Sequence, residues 1–140
     1  LFPRYNSHRP FSFSKEEKLT GKTTIDLLFS KGQNIFKFPV KFYYYHLPEH
    51  KLAEDELPML LISVSKRYFK HAVERNYIKR QIREVYRMHK AEWWALFKNK
   101  PAYVGILYTT NKKLTLEQLK KKLYLAVETA AAKYNSTVAS

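Results

Sequence analysis

Hydrophobic positions along this chain fall into helical and strand periods in turn. Ile25, Leu28 and Phe29 share a helical face and predict a short helix from about Lys22 to Ser30. Gly32 is placed to end it in a left-handed conformation. From Phe38 to Leu47 the period becomes two, with Phe38, Val40, Phe42 and Tyr44 on one strand face. A further short strand fits near Asn34 to Lys37. The polar stretch Pro48 to Leu57 reads as a connection. Residues 59 to 65 (MLLISVS) are continuously apolar, which predicts a strand central in a sheet.

A helical period returns from about Ala72 to Lys98, and a strand from Ala102 to Thr109 follows, broken by Gly105. Thr115-Leu-Glu-Gln118 is a capping-box pattern, in which Thr115 and Gln118 satisfy exposed amides reciprocally at the start of a last helix. Leu116, Leu119, Leu123, Val127 and Ala130 form its buried stripe, and the helix is expected to fray after Tyr134. The order is α-β-β-α-β-α, which packs as one α+β sandwich. The expected division is an irregular segment over 1–13, a single domain over 14–134 and a flexible tail over 135–140.

Composition narrows the class. The 140 residues are 45% hydrophobic and 16% aromatic, enough for a packed core and unlike a disordered basic tail. Lys and Arg total 26 against 12 Asp and Glu, a formal charge of +14. Self-repulsion at that charge favours a polyanionic partner, with nucleic acid ahead of an anionic membrane surface. No stretch approaches the roughly 18 apolar residues of a membrane span. The chain has no cysteine, which excludes disulfides and thiolate zinc sites and fits a cytoplasmic location.

The charge is concentrated. Between Lys66 and Lys90 there are nine Lys or Arg and two Glu, half of the net charge in fewer than a fifth of the residues. At about 100° per residue, Arg75, Lys79, Arg83, Arg87 and Lys90 project into one arc, with Asn76 inside it and Arg80 at its edge. Ile78, Ile82, Val85 and His89 project elsewhere, flanked by Tyr86. One face of this helix packs on a sheet while the other presents cations about a turn apart, and Arg adds a planar fork that matches phosphate oxygens. An amphipathic helix with an ordinary solvated face has the same outline. The near absence of acids on the basic arc argues against it, as does Ser65-Lys66-Arg67 just ahead of the helix, where both cations would add to an anion site at its N-terminal end.

Enzyme chemistry has little to draw on. His8, His46, His50, His71 and His89 show no metal-ligand spacing, and His46 and His50 bracket a proline-containing loop. Asp26 and Asp55 are the only aspartates, and three scattered glycines make no phosphate loop. Charge and periodicity leave open a ribosomal or other structured-RNA-binding protein, and a domain that lays its helix in a DNA groove.

The run Ser63-Val-Ser-Lys-Arg67, a short connection, then Ala72-Val-x-Arg-Asn-x-x-Lys-Arg-x-Ile-Arg-Glu84 resembles the signature of the bacterial ribonuclease P protein component. The resemblance reaches upstream to Lys18-Leu19, Phe29-x-x-Gly32 and the aromatic strand ending near Tyr43, and covers roughly residues 13 to 132. It implies a two-layer α+β sandwich with about four strands and a left-handed β-α-β crossover, as in the second domain of ribosomal protein S5. It implies a non-catalytic subunit of an endoribonuclease, a hydrolase of tRNA processing, whose chemistry belongs to the ribonuclease P RNA and to Mg2+ bound mainly by that RNA. Precursor tRNA is the implied substrate.

Matched residue by residue, Lys66, Arg67, Arg75, Asn76, Lys79, Arg80 and Arg83 fall on the RNA-binding helix and the loop before it, and the neighbouring Lys70 and Arg87 are expected to bind RNA with them. Phe29 and Tyr43 fall in a cleft for the 5′ leader, between the first helix and the sheet, with plain core packing as the alternative for both. Tyr43 shares its strand face with Lys41 rather than with Phe42. Three departures stand out: Tyr77 where the family commonly has Arg, Ile25 at a position that is often Phe, and a connection Tyr68-Phe-Lys-His71 one residue longer that lacks the usual Gly.

Overall fold

The protein was analysed as a computed structural model that describes residues 18–48, 51–53 and 55–139. The expected irregular segment over 1–13 lies outside the described residues. Chain order runs α1 (Lys22–Lys31), β1 (Gln33–Lys37), β2 (Val40–Tyr45), β3 (Met59–Val64), α2 (Ala72–Ala95), β4 (Tyr103–Tyr108) and α3 (Leu116–Ala139). The strands form one mixed sheet in the order β1-β2-β4-β3. β1 and β2 pair antiparallel, β2 and β4 antiparallel, and β3 and β4 parallel. The parallel pair is joined through α2, so a β-α-β crossover is present.

Strand alternation decides where the core sits. Val40, Phe42 and Tyr44 of β2 and Val104, Ile106 and Tyr108 of β4 are buried on one face. α2 and α3 cover that face with Ile78, Ile82, Val85, Tyr86, Trp93, Leu119, Leu123 and Val127. Each such large apolar side chain contributes roughly 1.5–3 kcal/mol on burial. Phe69, in the connection before α2, closes the same core beside Tyr108, with ring centroids 6.3 Å apart.

The opposite face is only partly covered. α1 crosses it above Gly105, where an added Cβ would stand 3.0 Å from Leu28 Cδ2, 3.6 Å from Phe29 Cε1 and 3.6 Å from Tyr43 Cβ. Gly105 therefore does not break β4, which runs without interruption through the centre of the sheet. Its missing side chain is what admits α1 to the sheet surface.

Other expectations are corrected. β3 lies at an edge of the sheet rather than at its centre. Its apolar run is explained by core packing of Leu60 and Val64 and by cover at the outer edge. There Leu19 is buried and its amide donates to the Leu60 carbonyl at 2.8 Å. Gly32 is extended (φ −73°, ψ 163°), not left-handed. Glycine is required there for space, because a Cβ would fall 2.3 Å from the Leu28 carbonyl oxygen. Phe38 leaves the strand face and enters the β1–β2 turn, which contains a cis Phe38–Pro39 bond. The short strand near Asn34 to Lys37 is real and extends to Gln33.

The capping box at α3 forms as expected, with Thr115 N–H to Gln118 Oε1 at 3.0 Å and Gln118 N–H to Thr115 Oγ1 at 3.1 Å. Leu116, counted in the buried stripe, is instead 46% exposed at the helix's outer first turn. α2 stops at Ala95, short of Lys98, in a tight turn that buries Phe97. α3 continues past Tyr134 to Ala139. Asn135 ties the two ends together: its Nδ2 donates to the Leu96 carbonyl at 2.8 Å, and its Oδ1 accepts from the Lys98 amide at 3.0 Å.

Candidate nucleic-acid interface

The connection between β3 and α2 is held before any partner arrives. Ser65 caps a turn, accepting from the Arg67 amide through Oγ at 3.0 Å and from the Tyr68 and Phe69 amides through its carbonyl at 3.1 and 3.2 Å. Phe69, in the middle of this connection, is anchored in the core beside Tyr108. Lys66, Arg67 and Lys70 are exposed around it. The Arg67 guanidinium lies 5.9 Å from the Tyr68 ring centroid, a cation–π contact that keeps it beside the turn.

Arg75 takes part in this construction. Its Nη1 donates to the Phe69 carbonyl and to the Lys70 carbonyl, both at 2.8 Å. Sequence geometry places Arg75 on the open basic arc, whereas the structure turns it back as a clamp on the preceding loop. His71 precedes the helix with extended backbone and no side-chain cap, its carbonyl accepting from the Arg75 amide at 3.2 Å.

Along α2 the basic arc divides. Asn76 and Arg80 are exposed, and Lys79, Arg83 and Arg87 are half-buried. Among the described residues the buried Arg83 Nε finds no hydrogen-bond partner. Arg87 is bound to Glu84, with Nε to Oε2 at 3.0 Å. Lys90 departs from the expected ladder: it is 2% exposed, its Nζ 5.9 Å from the Tyr86 ring centroid. Helical rotation puts Lys90 between Tyr86 and Trp94, both packed in the core, so its ammonium belongs to the interior side of the helix. Tyr77 lies on the other flank, where the Lys113 ammonium stands 5.5 Å over its ring and 3.8 Å from Glu74. The cationic surface is thus one flank of α2, formed by Asn76, Lys79, Arg80, Arg83 and Arg87, continuous in sequence with the Lys66–Lys70 loop.

Phe29 and Tyr43 meet on the other face of the sheet. Their rings are 4.7 Å apart at 84°, an edge-to-face pair, and both are half-buried. They therefore combine a packing contact with ring surface open to solvent. Lys41 places its Nζ 5.4 Å from the Tyr43 centroid. Ile25, on the same helix, is also half-buried. The role of Gly105 in seating this pair was not readable from its position in a strand, because its significance depends on the helix that crosses it.

Among the described residues no group of three or more His, Cys, Asp or Glu stands together to hold a metal. His46 stacks on Tyr134 at 3.7 Å and contacts the Asn99 carbonyl through Nε2 at 3.1 Å. Burial holds its pKa below the usual histidine value, the Asn99 contact opposing that shift. His89 faces Glu92 at 3.4 Å. No helix among the described residues is long and apolar enough to cross a membrane.

Fold and surface together define a class: a basic α+β protein with a mixed four-stranded sheet and a cationic helix flank. Comparison with known proteins narrows it. The ribonuclease P family model matches residues 13–131, and the chain belongs to that family. It is 36% identical over 80 residues to the ribonuclease P protein component of Porphyromonas gingivalis, which covers 57% of this chain and 56% of that protein. It is 43% identical over 68 residues to the ribonuclease P protein component of Blochmanniella floridana, covering 48% of this chain and 56% of that one. The matches thus span little more than half the length of these relatives. Its fold matches the Staphylococcus aureus RNase P protein with a TM-score of 0.65 at 23% identity, over 81% of this chain and 94% of that one. The Thermotoga maritima RNase P protein matches with a TM-score of 0.63 at 16% identity, over 81% and 96% of the two chains.

Proposed function

We propose that this chain is the protein subunit of a ribonuclease P ribonucleoprotein, binding the catalytic RNA and the 5′ leader of precursor tRNA so that the leader is removed and the mature 5′ end generated. Family membership supports the assignment. The observation that carries the chain's own part in it is the set of cations on the 66–70 loop and on one flank of α2, the helix that follows it. Lys66, Arg67, Lys70, Asn76, Lys79, Arg80, Arg83 and Arg87 contact RNA phosphates there. Arg75 holds the loop in the shape that presents Lys66, Arg67 and Lys70.

Phe29 and Tyr43 form the leader platform. Stacking of unpaired bases on aromatic rings tolerates any sequence, which suits leaders of many sequences. The chemistry, activation of water against a phosphodiester, is supplied by Mg2+ held mainly by the RNA. The chain itself raises substrate affinity and offsets phosphate repulsion, and it works in the cytoplasm.

Reconstitution tests this directly. With a bacterial ribonuclease P RNA and precursor tRNA at low magnesium, the chain is expected to accelerate 5′-leader cleavage. No acceleration, or preference for a B-form DNA duplex over folded RNA, overturns the proposal.

A further inference from the structure

The leader platform does not end at Tyr43. On the same sheet face, β1 and β2 close in a turn that leaves Phe36 and Phe38 53% and 57% exposed. Register fixes the face. Tyr43 pairs with Gly105, above which α1 sits; Lys41 is two residues along β2 on that side, and Phe36 is its cross-strand partner. Phe38 joins Phe36 through an edge-to-face contact with centroids 6.2 Å apart. Same-face neighbours on a strand are about 7 Å apart, so Phe29, Tyr43, Lys41 and the Phe36–Phe38 pair lie in one row across the sheet. Aromatic rings interleaved with a cation are the composition of a single-strand nucleic-acid track: rings stack bases and the ammonium follows the backbone.

Phe36 and Phe38 adjoin, so their exposed rings form one apolar surface at the hairpin tip rather than two scattered ones. The neighbouring positions favour RNA over a protein partner, because the patch adjoins the cleft along β2 and the cross-strand partner of Phe36 is the cation Lys41. We propose that Phe36 and Phe38 are a second stacking station, which holds single-stranded RNA of the leader beyond the segment held at Phe29 and Tyr43. The inference rests on the leader-binding reading of that cleft.

The test uses the chain reconstituted with a bacterial ribonuclease P RNA, and precursor tRNAs whose leaders are about two or about ten nucleotides long, against single-strand site sizes of about 4–16 nucleotides. Phe36→Ala/Phe38→Ala is expected to weaken binding of the long-leader substrate about fivefold or more and leave the short-leader one unchanged. Phe36→Leu/Phe38→Leu keeps the apolar surface and removes the rings, and is expected to show the same loss. Equal effects on both substrates, or no effect, overturn the second station. So does full retention of binding in the leucine variant. A loss of self-association in sedimentation without leader-length dependence marks the pair as a protein contact and likewise overturns it. Tyr43→Ala separates the two levels. Leader dependence at Tyr43 but not at the phenylalanines defeats only the extension, and its absence at both defeats the cleft reading itself.

Discussion

Arg75 and Lys90 show how a shared helical angle conceals opposite environments. Both project into the basic arc, yet Arg75 is bonded to two backbone carbonyls and Lys90 is interior. Arg75→Ala is expected to lower stability by about 1–2 kcal/mol, since hydrogen bonds to charged groups contribute about 1.5–3 kcal/mol and one of these is solvent-exposed. It should also speed amide exchange over residues 67–71. Unchanged exchange there contradicts the clamp. Lys90→Met keeps the stem packed and removes the charge, so the salt dependence of RNA binding is expected to match that of the unaltered chain. A shallower dependence would return Lys90 to the phosphate-binding set. The two special glycines differ in degree. Gly32→Ala drives a Cβ into backbone and should cost about 3 kcal/mol in urea unfolding. Gly105→Ala meets the tip of the Leu28 side chain and should cost about 1 kcal/mol.

At the scale of elements, the α2 flank carries the electrostatics. Lys79 and Arg80 lie outside the buried core, so thermal unfolding of a Lys79→Ala/Arg80→Ala variant is expected to stay unchanged. The slope of log affinity for ribonuclease P RNA against log salt should become shallower by up to about two, because each neutralised phosphate contributes roughly 0.9 to the slope on a duplex. An unaltered slope contradicts phosphate contacts at these two positions. Much of this element was legible beforehand: helical period predicts α2 and its packed side, Thr115 and Gln118 predict the start of α3, and strand alternation separates Tyr43 from Phe42. The failures share a cause. Lys90, Gly105 and the place of β3 in the sheet depend on which element lies across from them, and a linear pattern does not carry that information. A continuous apolar run marks a strand covered on both faces, but an edge strand whose rim is covered by Leu19 has the same run.

For the whole molecule, charge and acid sensitivity are separate matters. The net +14 is what the proposed RNA binding draws on, while His46, stacked on Tyr134 where the end of α3 meets the sheet, links stability to pH. Its folded pKa lies below the ordinary value of 6.5 because burial disfavours the charged ring. The unfolded chain therefore binds the proton more readily. This contribution is complete above the unfolded pKa and is lost as pH falls through the folded one. His46→Phe should flatten the melting temperature between about pH 7 and pH 5, and an unchanged profile removes His46 as the source.

The central claim, that this chain docks RNA and leaves the chemistry to it, is tested most directly by the rate of 5′-leader cleavage at low magnesium. The measurement compares ribonuclease P RNA alone, with this chain, and with the Lys79→Ala/Arg80→Ala variant, across a salt series. Acceleration by the chain is expected, with the variant losing it at lower salt. Equal rates with and without the chain, or cleavage by the chain in the absence of the RNA, would contradict it.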